Sequence, residues 1–105
     1  MKTISTPDMG SIEADYIRGA SYEEAEELTG YLDEHLNGGL SGSTLGLIID
    51  EVQDEIIRTF PARLAVEDDS FDALTDSIYS TASKLARTPT MYVFASRVYC
   101  NHVTK

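Results

Sequence analysis

The stretch TLGLIIDEVQDEIIRTF, Thr44 to Phe60, decides the fold class. Leu45, Ile48, Ile49, Val52, Ile56 and Phe60 recur at three- and four-residue spacing, so a helix places them on one face. Asp50, Glu51, Asp54 and Glu55 take the remaining positions. Ser41-Gly42-Ser43 offers an entry, and Pro61 ends the helix or opens a short turn through Ala65. A helix this apolar on one side needs other apolar faces to cover it.

Two flanking segments supply such faces. Over residues 22–36, Ala25, Leu28, Leu32 and Leu36 form a stripe. Ser21 with Glu24 reads as a capping box, and Asn37-Gly38-Gly39 as a stop. Gly30 costs this helix about 1 kcal/mol against alanine. Over residues 71–87, behind a cap at Asp69 or Ser70, the stripe is Phe71, Leu74, Ile78, Ala82 and Leu85. The outer face of that helix turns small and neutral at Ser77, Ser80 and Ser83. Leu28, Leu32, Ile48, Val52, Ile56, Phe71, Leu74, Ile78 and Leu85 are therefore expected to be buried together.

The ends are less patterned. Thr88-Pro89 reads as an N-cap with proline at the first helical position, and Met91, Phe94, Ala95 and Val98 continue a helix. Met91-Tyr92-Val93-Phe94 and Val98-Tyr99-Cys100 also suit strands. Residues 1–20 read as a weakly structured N-terminal segment, with a turn at Pro7-Asp8 and Gly10, and with Ile12, Tyr16 and Ile17 suiting one helical turn or a short strand before Gly19. The expectation is a single all-α domain over residues 1–105, a compact bundle of three main helices plus a fourth. The alternative is an α+β fold with a C-terminal strand.

Charge is the other strong signal. All eighteen acids lie between Asp8 and Asp76, and with Lys2, Arg18, Arg58 and Arg63 they leave −14 over residues 1–76. Lys84, Arg87, Arg97 and Lys105 leave +4 over residues 77–105, which together give the net −10. Such a chain repels nucleic acid and anionic membrane and attracts basic surfaces. No apolar run approaches the roughly 20 residues of a membrane span. The lone Cys100 forms no intrachain disulfide, and Met1-Lys2 is not followed by the apolar core of a signal peptide. Both fit a cytoplasmic protein.

Two carboxylate strings carry the sharpest motif. Glu23-Glu24-Ala25-Glu26-Glu27 matches E-E-x-x-E, and Glu51-Val52-Gln53-Asp54 matches E-x-x-D. In these the chain resembles the MazG-type all-α nucleoside-triphosphate pyrophosphatases, over about residues 22–57. The resemblance implies Glu24, Glu27, Glu51 and Asp54 as Mg²⁺ ligands facing a triphosphate, and oxygen ligands suit that ion. Helical geometry points the other way. At 100° per residue Glu27 and Asp54 lie nearly opposite their apolar stripes, whereas a metal site in a bundle needs inward carboxylates. The segment after the second helix also lacks a clear basic cluster for a triphosphate.

The same acids support a different role. Glu23/Glu27, Asp50/Asp54, Glu51/Glu55 and Asp72/Asp76 are like-charge pairs at i,i+4, each costing a few tenths of a kcal/mol. A solvated outer face explains them without function; a face kept negative for a basic partner explains why lysines are not interleaved. The partner-binding candidates are Glu23, Glu24, Glu27, Tyr31, Asp50, Glu51, Asp54 and Glu55, with Tyr22 and Tyr31 as aromatic anchors. In size and acidity the chain is similar to small phage-encoded inhibitors, the anti-CRISPR proteins and DNA mimics. That likeness is one of composition, and it implies docking on a basic surface of a nucleic-acid-processing protein.

Other signals are weak. His35 and His102 complete no E-x-x-H or H-x-x-x-H ligand pair and read as surface residues, and Cys100 has no zinc-site neighbour. Gly38, Gly39, Gly42 and Gly46 precede no G-K-[ST], so they make no P-loop. Tyr92, Arg97, Tyr99 and His102 form either a dimer or partner seam, or the last core element with cations answering acids elsewhere. The sequence reading is a non-enzymatic acidic protein-binding module with no catalytic residues, cofactor or direct nucleic-acid contact. Its alternatives are the Mg²⁺-dependent pyrophosphatase and a small regulatory or structural helical oligomer.

Overall fold

The computed structural model describes residues 2–5, 11–68 and 70–103. The order is β1 (Lys2–Ser5), α1 (Ser11–Leu32), a π-helical turn (Asp33–Asn37), α2 (Gly42–Arg58), β2 (Arg63–Val66), α3 (Phe71–Ala86) and α4 (Pro89–Val103). The class is all-α, with one small antiparallel ribbon of β1 and β2, in register from Lys2 opposite Val66 to Ser5 opposite Arg63. No described helix is long and apolar enough to cross a membrane.

Local chemistry sets the helix ends. Ser41 Oγ accepts from the Thr44 N–H at the start of α2 (3.3 Å), and Ser70 Oγ from the Ala73 N–H at the start of α3 (3.1 Å). Thr88 Oγ1 accepts from the Met91 N–H (3.1 Å) with Pro89 in the first turn, so residues 89–103 are helix and the strand alternative is corrected. A capped start outweighs β-propensity here, because Met91, Ala95, Val98 and Tyr99 are buried at helical spacing. Gly38 and Gly39 take φ of 75° and 80°, the left-handed region that favours glycine, and turn the chain from α1 to α2.

The N-terminal expectation is corrected. Residues 11–20 are helical, 2–5 form β1, and the turn expected at Pro7-Asp8 and Gly10 lies outside the described residues. Ser21 is no cap but a fully buried residue in mid-helix. The reason is tertiary: Tyr16, Ile17 and Ala20 pack with Leu64, Val66, Leu74 and Ile78, which sustains the helix through Gly19.

The core is two clusters strung along α1, in a molecule 46 × 24 × 19 Å in extent. The larger joins Ala25 and Leu32 of α1, Ile48, Ile49, Val52 and Ile56 of α2, Ala86, and Met91, Ala95, Val98 and Tyr99 of α4. The smaller joins Ala20, Leu64, Val66, Leu74, Ile78 and Ala82. Phe60 packs against both. The single shared core expected from three stripes is thus divided, with Leu74 and Ile78 in the smaller cluster. Phe71 is 49% exposed, edge-on to Tyr16 with ring centroids 5.3 Å apart. Leu36 is 52% exposed, because the π-helical turn rotates it off the stripe that ends at Leu32.

Candidate functional site

Helices α1 and α2 pack together, and the Gln53 side-chain amide donates to the Arg18 carbonyl (3.0 Å). The segment from Ser11 to Arg58 contains twelve acids, from Glu13 to Glu55, and two arginines. Each arginine is engaged locally. Arg18 pairs with Asp15, and Arg58 makes a two-pronged contact with Glu55, Nε at 2.9 Å and Nη2 at 2.6 Å. That contact raises the proton affinity of Arg58, first through the hydrogen bonds and then through the Glu55 charge.

The candidate acids divide into two sets. Glu23, Glu27, Asp50 and Asp54 are exposed and have no ion-pair partner among the described residues. Glu51 and Glu55 are already engaged by His102 and Arg58, whereas Glu24 is half-buried with its charge disfavoured overall. Glu51 Oε2 lies 2.7 Å from His102 Nε2 on α4, and Glu55 shares a shallow depression with Arg97 beside Arg58. Glu24 has its pKa raised by partial burial, then by Glu27 and Glu23, against the lowering charge of Arg87. Helix α4 is therefore the last core element, with His102 placed on Glu51 of α2, and Arg87 just before it acts on Glu24 of α1. Within α4 Tyr99 and His102 turn inward while Tyr92 and Arg97 stay exposed. His102 is half-buried on Glu51, which corrects its reading as a surface residue.

Tyr31 is 50% exposed and stacks on His35, ring centroids 4.1 Å apart. The His35 ring nitrogen Nδ1 lies 2.9 Å from the Tyr31 carbonyl, which fixes the pair on one turn of helix. Tyr31, Glu24, Glu27, Leu28, Ala86 and Arg87 line a cleft of about 150 Å³ between α1 and the α3–α4 corner.

The MazG-like ligand set is not brought together. Glu24 and Glu27 border the α3–α4 corner, Glu51 bonds to α4, and Asp54 is exposed. Among the described residues no group of three or more His, Cys, Asp or Glu side chains is placed to hold a metal ion. The residues present do not fit the Mg²⁺ site that the motif implies.

Sequence reasoning missed Asp33. Its carboxylate accepts from the Tyr99 hydroxyl (2.8 Å) and from the Leu40 N–H (3.4 Å), tying the end of α1 to α4 and to the turn before α2. Only the proximity of Asp33 to the Gly38-Gly39 turn hinted at such a role, since Tyr99 is 66 residues away in sequence. Comparison with known proteins finds no matching family model, no matching curated protein and no matching solved structure.

Proposed function

We propose that this chain is a non-enzymatic binding protein whose acidic α1–α2 surface docks on a basic surface of a nucleic-acid-processing protein, in the manner of a small inhibitor. One observation carries the reading. The two arginines within α1 and α2 are spent on acids three residues away, which leaves Glu23, Glu27, Asp50 and Asp54 exposed and without an ion pair among the described residues. Like charges at i,i+4 cost each helix a few tenths of a kcal/mol, and lysine at either position would remove the cost. A negative field several kT deep steers a basic partner toward the surface and repels nucleic acid. The scattered positions of Glu24, Glu27, Glu51 and Asp54 favour this reading over a Mg²⁺-dependent pyrophosphatase.

The test uses basic nucleic-acid-binding proteins, each assayed with and without its nucleic acid. Binding should compete with the nucleic acid and weaken steeply with salt, since surface charges are screened within roughly 8 Å at physiological ionic strength. Replacing Glu23, Glu27, Asp50 and Asp54 by lysine should lower the association rate and leave the fold intact. Tight DNA or RNA binding by the chain itself would overturn the proposal. So would Mg²⁺-dependent release of pyrophosphate from nucleoside triphosphates that Glu51→Gln abolishes.

A further inference from the structure

The geometry points to the cleft between α1 and the α3–α4 corner as a receptor for a single arginine side chain of the basic partner; this rests on the acidic-surface reading and names its anchor. Size is the first argument. A cleft of about 150 Å³ is well below the roughly 300–1,000 Å³ of small-molecule pockets, and it suits one side-chain head.

The lining is the second. Leu28, half-buried, and Ala86, buried, supply an apolar floor for the methylene stem of a long side chain. Glu24 and Glu27 supply two carboxylates to the lining, and the fixed fork of five donors on a planar guanidinium can serve both while its flat face meets the tyrosine ring. Tyr31 supplies an aromatic wall, held in place by its stack on His35. Acid alone would attract any cation, but carboxylates, aromatic ring and apolar floor together select arginine. The electrostatics agree. Burial first, and then Glu27 and Glu23, disfavour the charge on Glu24, and a cation seated beside it would favour that charge. Arg87, which also lines the cleft, is the one opposing charge, against Glu24, Glu27 and Glu23.

The test is a proton–nitrogen NMR titration with a short arginine-bearing peptide and with the same peptide carrying lysine instead. Shifts should centre on Leu28, Tyr31 and Ala86. The arginine peptide should bind more tightly by roughly twofold or more, because both cations can sit over the ring but only the guanidinium also stacks flat on it and presents a fork of donors. Tyr31→Ala and Glu24→Gln should each erase that margin, Tyr31→Phe should keep it, and Arg87→Gln should tighten both peptides. Equal affinities, a margin that survives Tyr31→Ala, or shifts confined to Asp50 and Asp54 would overturn the arginine receptor while salt-sensitive binding persisted. Failure of both peptides to bind at low salt would instead remove the acidic-surface reading.

Discussion

The two halves of this molecule bury apolar side chains by different means. At one end α2 and α4 close over the second half of α1, and a carboxylate–tyrosine bond from Asp33 to Tyr99 pins the arrangement. At the other, the first half of α1 and α3 are covered by a ribbon of two four-residue strands, and Ser77 Oγ donates to the Ala65 carbonyl to hold strand and helix together (3.0 Å). Helix-on-helix packing buries whole stripes. A short ribbon offers Leu64 and Val66, and a two-stranded hairpin-like unit is marginal without support. The larger cluster should therefore set global stability, and the smaller should open locally first.

The largest expected effect tests that ranking. Val52 and Ile56 are fully buried in the larger cluster. Val52→Asp or Ile56→Asp places a charge there without a partner, costing about 4 kcal/mol or more, out of a typical total of roughly 5–15 kcal/mol. Circular dichroism should show loss of the helical fold. Val66→Ala at the ribbon should cost about 1 kcal/mol and increase amide exchange of β1 and β2 alone. An equal global loss of stability from both would merge the two clusters into one cooperative core.

The same contrast explains what could be read beforehand. Ile48, Val52 and Ile56, and Leu74, Ile78 and Ala82, repeat at helical spacing, so α2 and α3 were legible, as were the stops and starts at Gly38-Gly39, Ser70 and Thr88-Pro89. The ribbon was not, because pairing Lys2–Ser5 with Arg63–Val66 joins segments some sixty residues apart, too far for a hairpin turn to announce the pair. Nor was the first half of α1. Gly19 and the Ser21–Glu24 pattern favour a helix start at Ser21 locally, and only packing on Leu64 and Ile78 overrules them. For the candidate site, exposure of Glu27 and Asp54 followed from the stripe, whereas the engagement of Glu51 by His102 depends on how α4 returns across α2.

The next effect isolates the pin at the larger cluster. Tyr99 is 1% exposed and its hydroxyl donates to Asp33. Tyr99→Phe should destabilise by about 1.5–3 kcal/mol, the range for a hydrogen bond to a charged group, leaving the 3.4 Å contact from the Leu40 N–H on that carboxylate. Denaturant unfolding should show a lower midpoint at unchanged slope. An unchanged midpoint would make the Asp33 bond dispensable and leave apolar packing as the sole advantage of this end.

At the junction of the two clusters the sign reverses. Ser21 lies between Ala20 of the smaller cluster and Ala25 of the larger, fully buried, and its hydroxyl has no partner among the described residues. An unsatisfied buried hydroxyl costs about 1–3 kcal/mol, and alanine is also the better helix former. Ser21→Ala should stabilise by about 1 kcal/mol, seen as a rise in Tm of several degrees. A loss of stability would show that the hydroxyl finds a partner in solution, and that this junction is polar by design.

The smallest effect is electrostatic and lies at the rim of the larger cluster. Burial, then the charges of Glu27 and Glu23, raise the pKa of Glu24 against the pull of Arg87. A carboxyl that holds its proton more tightly in the folded state favours folding below its unfolded pKa, and that contribution is lost as pH rises through the folded value. At neutral pH the ionised Glu24 is therefore a small liability. Glu24→Gln should raise stability there by no more than about 0.5 kcal/mol, because water screens a group at the surface. The gain should shrink to nothing as the wild-type carboxyl becomes protonated in acid. Glu26→Gln, exposed on the same helix, is the control for general relief of negative charge. If both substitutions stabilise equally at every pH, the effect belongs to the net charge of α1, and the cleft beside Arg87 has no electrostatic character of its own.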